Sequence, residues 1–118
     1  MIPEEGAVVL ISLPGVSGRT EKLRPVLVLA HLPGAFQQIL VAGISTRTFG
    51  LIPGWDEVVR PGQQRFVQMG LKRESSIRPS YLSARSESEV RGTIGQLPAA
   101  DLKVLRDRLA NLLLRFPR

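Results

Sequence analysis

Cysteine is absent and histidine occurs once, at position 31. The first absence removes disulfides, a thiolate nucleophile and sulfur-ligated metals. The second removes a histidine-rich metal cluster and catalysis by a pair of histidines. The ten carboxylates are scattered, with no calcium-loop spacing and no metalloprotease-like arrangement, so neither a metal nor another cofactor is expected. No apolar run approaches the ~20 residues needed to span a bilayer. The opening "MIPEEGAVVLISLPG" carries acids where a signal peptide needs basic residues. A cytoplasmic protein without a membrane role is expected. Aromatics make up only 5% of the chain, and only three of its sixteen cationic residues are lysine.

What is present is arginine, against a background of short aliphatic runs. Sixteen Lys and Arg oppose ten acids, for a net charge of +6. Guanidinium groups recognise phosphate bidentately, which points to nucleic acid. The other reading is an Arg-rich, solvated surface, because positive charge is a footprint of such partners and not a proof. With 118 residues the chain is expected to form one domain, 1–118, with a real hydrophobic core.

The runs "AVVLISL" (7–13), "PVLVLAH" (25–31) and "QQILVAGIS" (37–45) read as three strands of an antiparallel meander. They are separated by a polar loop, "PGVSGRTEKLR" (14–24), and by a turn at Pro33-Gly34. The second run is aliphatic almost throughout, as in a strand buried on both faces. Pro25 lacks a donor and steers Arg24 towards an extended conformation, so Arg24 is expected at the end of a loop, just before a rigid element. Between 46 and 73 the pattern offers two short strand candidates, "DEVVR" and "QRFVQM". "ESSIRPSYL" (74–82) reads as a short strand followed by a turn or brief helix, and "SEVRGTIGQL" (88–97) as a last strand. In "PAADLKVLRDRLANLLLRF", Leu102, Leu105, Leu109, Leu112 and Phe116 share one helical face, which is expected to cover the sheet.

In combination these segments resemble the MazF/PemK family of toxin endoribonucleases. The similarity lies in "GAVVLISLPGVSG", in the Arg-Pro-aliphatic run "RPVLVLA" (24–30), in "ILVAGIS" (39–45), in "LKRESSIRPSYL" and in "VRGTIGQLPAADLKVLRDRLANLL". Three departures stand out. Ala7 replaces a frequent acid and Ser45 a frequent Thr, and "SYLS" (80–83) lacks the Arg of the family's acid-Gln-x-Arg stretch.

The resemblance implies a mainly β fold with a C-terminal α-helix: a small antiparallel, barrel-like sheet of the CcdB/PemK, SH3-like kind, with the helix packed on it. It implies the toxin of a type II toxin–antitoxin system, a metal-independent mRNA interferase. In such an enzyme the ribose 2′-OH attacks the neighbouring phosphorus and leaves a 2′,3′-cyclic phosphate. Single-stranded RNA, a cognate antitoxin and a second copy of the chain, as a homodimer, are the implied partners. Arg24 and Ser45 would be catalytic; Arg19, Lys22, Thr46 and Arg47 would bind RNA.

On their own residues, Arg24 reads equally as a surface charge ahead of a proline, and Ser45 as a hydroxyl closing a turn with Thr46. His31 lies roughly 20 Å along the strand from Arg24 and reads as structural or surface. Trp55, with Phe49 and Phe66, is of a type that stacks bases, although core or interface packing suits Trp55 better. The functional alternative is a non-catalytic CcdB-like poison of DNA gyrase or a small β-barrel interaction module. The C-terminal helix carries no Trp of the kind that poison uses.

Overall fold

The computed structural model describes residues 2–14 and 21–115. Strand β1 (Ala7–Pro14) is followed by β2 (Glu21–His31), β3 (Gln38–Ser45) and the short β4 (Glu57–Val59). Helix α1 (Gln64–Gln68), β5 (Ser75–Ser86), a 3-10 turn (Glu87–Glu89), β6 (Val90–Gln96) and helix α2 (Ala99–Leu114) complete the chain. The strands form one six-stranded sheet in the order β4-β5-β3-β2-β1-β6. Every pairing is antiparallel. β4 and β6 remain as edges, so the barrel-like sheet expected from the sequence stays open.

The aliphatic strands are aliphatic because both faces of the sheet are buried. Ala7, Val9, Ile11, Val26 and Val28 belong to one cluster, whereas Val8, Leu27 and Leu29 belong to the other. That strict alternation is the pleat of a strand whose two faces each meet a core. Leu102, Leu105 and Leu109 of α2 seal the second cluster together with Met69 and Leu97. Leu112, expected on the same helical face, is 40% exposed, and Phe116 lies outside the described residues.

Three sequence readings of the elements need correction. β2 starts at Glu21 and not at Pro25, so Arg24 stands inside a strand. Pro25 is tolerated there because it pairs only with Leu10 of β1; the ladder with β3 begins one residue later, at Val26 opposite Gly43. "DEVVR" supplies β4, but "QRFVQM" supplies α1. This helix ends on Gly70, whose φ of +71° is the left-handed stop that glycine takes without penalty. Finally, β5 neither turns nor becomes helical at Pro79. Ala42 pairs with Leu82 and Gly43 with Arg78, so Pro79, Ser80 and Tyr81 bulge out of a strand that continues to Ser86.

Candidate active site

At the open end of β2 and β3 lies a cleft of about 410 Å³. Its lining includes Arg24 and Pro25 from β2, Ile44 and Ser45 from β3, and Tyr81 and Arg85 from β5. The register explains the meeting. Val26 opposes Gly43, and carrying that antiparallel pairing two residues further brings position 24 to position 45.

Arg24 is exposed and its side chain makes no hydrogen bond or ion pair among the described residues. Ser45 accepts the Arg47 backbone N–H at 3.0 Å, which leaves its own O–H free to turn into the cleft. The loop after Ser45 is held from below. The hydroxyl of Ser76, fully buried opposite Ser45 in β5, donates to the Arg47 carbonyl at 2.7 Å.

Tyr81 forms the wall across from these groups. It packs on Gly43, where a Cβ would come within 2.9 Å of the Tyr81 Cβ, and it stacks on Arg78 at 4.9 Å. The bulge that carries Tyr81 is tied to the 46–56 segment by Trp55, whose ring N–H donates to Ser80 at 2.8 Å. Trp55 and Phe66 pack against the core, while Phe49 is exposed beside Arg47.

Arg85 is the cleft residue that the sequence reading missed. Its Nε donates to Ser83 at 3.2 Å and its Nη1 to Glu89 at 3.1 Å. The Ser86 backbone N–H, countered in part by burial, and then the Arg85 guanidinium hold the Glu89 carboxyl below the usual value of 4.5. Two guanidinium groups thus border a hollow whose lining contains no carboxylate. Spacing in the sequence gives no sign of Arg85, because the three-residue bulge sets which side chains of β5 face the cleft.

The other candidate residues are distributed differently. Lys22 is exposed on β2, one turn of the pleat before Arg24, and does not line the cleft. Thr46 lines a neighbouring cleft. Arg47 is exposed, with its guanidinium over Phe49 at 5.1 Å. Arg19 lies outside the described residues. His31 is remote from the cleft, its ring nitrogen 2.6 Å from the Pro3 carbonyl and its backbone N–H bonded to Glu5. No group of three or more His, Cys, Asp or Glu side chains suited to a metal occurs among the described residues. No helix among them is long and apolar enough to cross a membrane.

Comparison with known proteins places this geometry. The Mycobacterium tuberculosis toxin MazF-mt6 superposes with a TM-score of 0.66 at 22% identity, covering 93% of this chain and 99% of that one. A chain of a MazE–MazF crystal structure from Deinococcus radiodurans gives 0.69 at 19% identity, covering 96% of each chain. An endoribonuclease in complex with its cognate antitoxin, from a mycobacterial species, gives 0.64 at 17% identity, covering 98% and 99%. At such identities these likenesses speak for the fold. No curated protein matches by sequence. The sequence family described as PemK-like, MazF-like toxin of type II toxin–antitoxin systems matches residues 4–113. With that match spanning nearly its whole length, the chain belongs to the MazF/PemK toxins of type II toxin–antitoxin systems.

Proposed function

We propose that this toxin is an endoribonuclease that cuts single-stranded RNA without a metal, the whole chain acting as one catalytic unit. The observation that carries the reading is the shared cleft of Arg24 and Ser45, bordered by a second guanidinium and lined by no acid. In-line attack by the ribose 2′-oxygen forms a P–O2′ bond and breaks the P–O5′ bond. The 2′-OH proton passes to solvent, the departing 5′-oxygen takes up a proton, and a 2′,3′-cyclic phosphate remains. The main obstacle is charge on the phosphorane. Arg24, with no competing carboxylate partner, meets the non-bridging oxygens, and the Ser45 hydroxyl donates to one of them. A guanidinium with pKa above ~12 is a weak proton donor, so Arg24 acts chiefly by electrostatics.

The same unmatched positive charge suits an acidic antitoxin segment, and the MazE–MazF and endoribonuclease–antitoxin complexes among the structural neighbours support such a partner. A homodimer completes the reading, in line with the family resemblance.

The test is cleavage of a single-stranded RNA by purified protein in excess EDTA, followed by product analysis. Wild-type protein is expected to leave a cyclic phosphate. Arg24→Ala is expected to lose about 10²–10³-fold in rate, the usual cost of one oxyanion donor. Intact RNA with wild-type protein, or full activity in Arg24→Ala, overturns the proposal; arrest of gyrase instead points to a CcdB-like poison.

A further inference from the structure

A second cleft, of about 300 Å³, lies next to the first at the same end of the sheet. Pro25 borders both clefts. Side-chain alternation separates them: Ile11 and Ser45 face the first, whereas their neighbours Leu10 and Thr46 face the second. The floor of the second cleft is apolar, built from Leu10, Leu71 and Ile94, and its rim carries Lys72 and Arg73. Gly70 fixes that floor. A Cβ there would run into the Ile94 carbonyl, and its positive φ is strained for any other residue.

Charge decides what such a cleft takes. Elsewhere the described cations are largely engaged: Arg60 with Glu74, Arg65 and Arg108 with Glu57, Arg78 with Asp56, Lys103 with Asp107 and Arg106 with Glu5. Lys22, Arg24, Lys72 and Arg73 are exposed and their side chains have no hydrogen bond or ion pair among the described residues. All four belong to the end of the sheet where the two clefts meet, and no carboxylate lines either cleft.

We infer that the second cleft is a nucleotide subsite for the same RNA strand. A base lies on the Leu10–Leu71–Ile94 floor, Lys72 and Arg73 meet its phosphates, and the exposed Thr46 hydroxyl reads its edge. This inference rests on the RNA reading above. The volume sits at the lower end of small-ligand pockets, ~300–1,000 Å³, and suits one nucleotide. An apolar face supplies sequence-tolerant stacking-type burial, while the Thr46 hydroxyl supplies choice among bases. The cleft therefore governs affinity for strands longer than the scissile dinucleotide and the preference at one flanking position.

The experiment measures binding of oligonucleotides carrying a 2′-deoxyribose at the scissile position, which cannot be cut, over a range of lengths and salt concentrations. Wild-type protein is compared with a Lys72→Ala/Arg73→Ala variant whose melting temperature confirms its fold. The variant is expected to bind the longer strands about tenfold more weakly. Its log–log salt slope should be shallower by about 1.4, at ~0.7 for each lost single-strand phosphate contact. In the wild type, amide resonances of Gly70, Leu71 and Ile94 should shift on adding the long strand and not the dinucleotide. Equal affinity and equal salt slope in variant and wild type overturn the subsite. So does a response of those resonances to an acidic peptide with none to the long strand, which assigns the cleft to a protein partner. Because the strand is uncleavable, either result is read separately from the EDTA cleavage assay, and the subsite can fail while Arg24-dependent cleavage stands.

Discussion

Asp56 Oδ1 sits 3.4 Å from Arg78 Nε, with the carboxylate wholly out of solvent and the Arg78 side chain only 12% exposed. Neither of these two atoms makes a hydrogen bond, so charges in contact are the attraction here. The other carboxylate oxygen accepts the Ile52 N–H at 2.8 Å, which ties the 46–56 segment to the same residue. Removing the acid leaves a buried guanidinium uncompensated. Asp56→Ala should cost about 3–5 kcal/mol of stability by chemical denaturation. A double variant, Asp56→Ala with Arg78→Met, should recover much of that loss, because the penalty comes from the stranded charge and not from lost attraction.

The wall of the Arg24–Ser45 cleft carries a second prediction. Gly43 faces the Tyr81 ring base so closely that an added methyl displaces it. The displacement also uncovers Arg78, over which Tyr81 is stacked. Gly43→Ala should lower stability by only about 1–2 kcal/mol, as overpacking does. RNA cleavage should fall by about tenfold or more, since small misplacements at a reacting centre are amplified in rate. Parallel thermal melts and kcat/KM measurements separate the two effects. An activity loss no larger than the stability loss implies would show that Tyr81 does not shape the site.

How far the sequence carried these features depends on how local each one is. β1, β2 and β3 were legible because both faces of the sheet are buried, which writes an unbroken aliphatic run into each strand. The meeting of Arg24 and Ser45 follows from two consecutive antiparallel strands, a pairing that a short turn almost dictates. Helix α1 was misread because "QRFVQ" is too short to display a helical period, and the decisive signal was its glycine stop at position 70. Arg85 was invisible for a different reason. Its direction depends on a three-residue bulge opposite Ala42 and Gly43, and nothing within β5 announces how its register shifts against β3.

Acid should weaken the fold through two carboxylates. The His31 backbone N–H, opposed in part by burial and assisted by Arg106, holds Glu5 below its usual 4.5. The Ser86 N–H and Arg85 do the same for Glu89. A carboxyl depressed in the folded state contributes stability that is present above its unfolded value. That contribution is lost as pH falls through the lower folded value. Denaturation midpoints measured between about pH 7 and pH 3 should therefore decline on the acid side. Glu5→Gln with Glu89→Gln should be slightly less stable at neutral pH and should show a flatter acid limb. Unchanged slopes would mean that these contacts contribute nothing in solution.

Arg24 and Arg85 border one cleft but should fail in different ways when removed. The Arg24 side chain has no partner among the described residues, so in the proposed reaction its guanidinium is free to follow the phosphorane as charge builds. Arg85 is already braced by Ser83 and Glu89, which holds its plane. A braced cation meets the phosphate equally well before and during reaction, and such uniform binding appears in KM. Arg85→Ala should raise KM about tenfold with little change in kcat, while Arg24→Ala should lower kcat. Glu89→Gln keeps the Arg85 charge but loosens its brace, and should raise KM by a smaller factor, about two- to threefold. A loss in kcat for Arg85→Ala as large as that for Arg24→Ala would place both guanidiniums on the phosphorane and remove the distinction drawn from their partners.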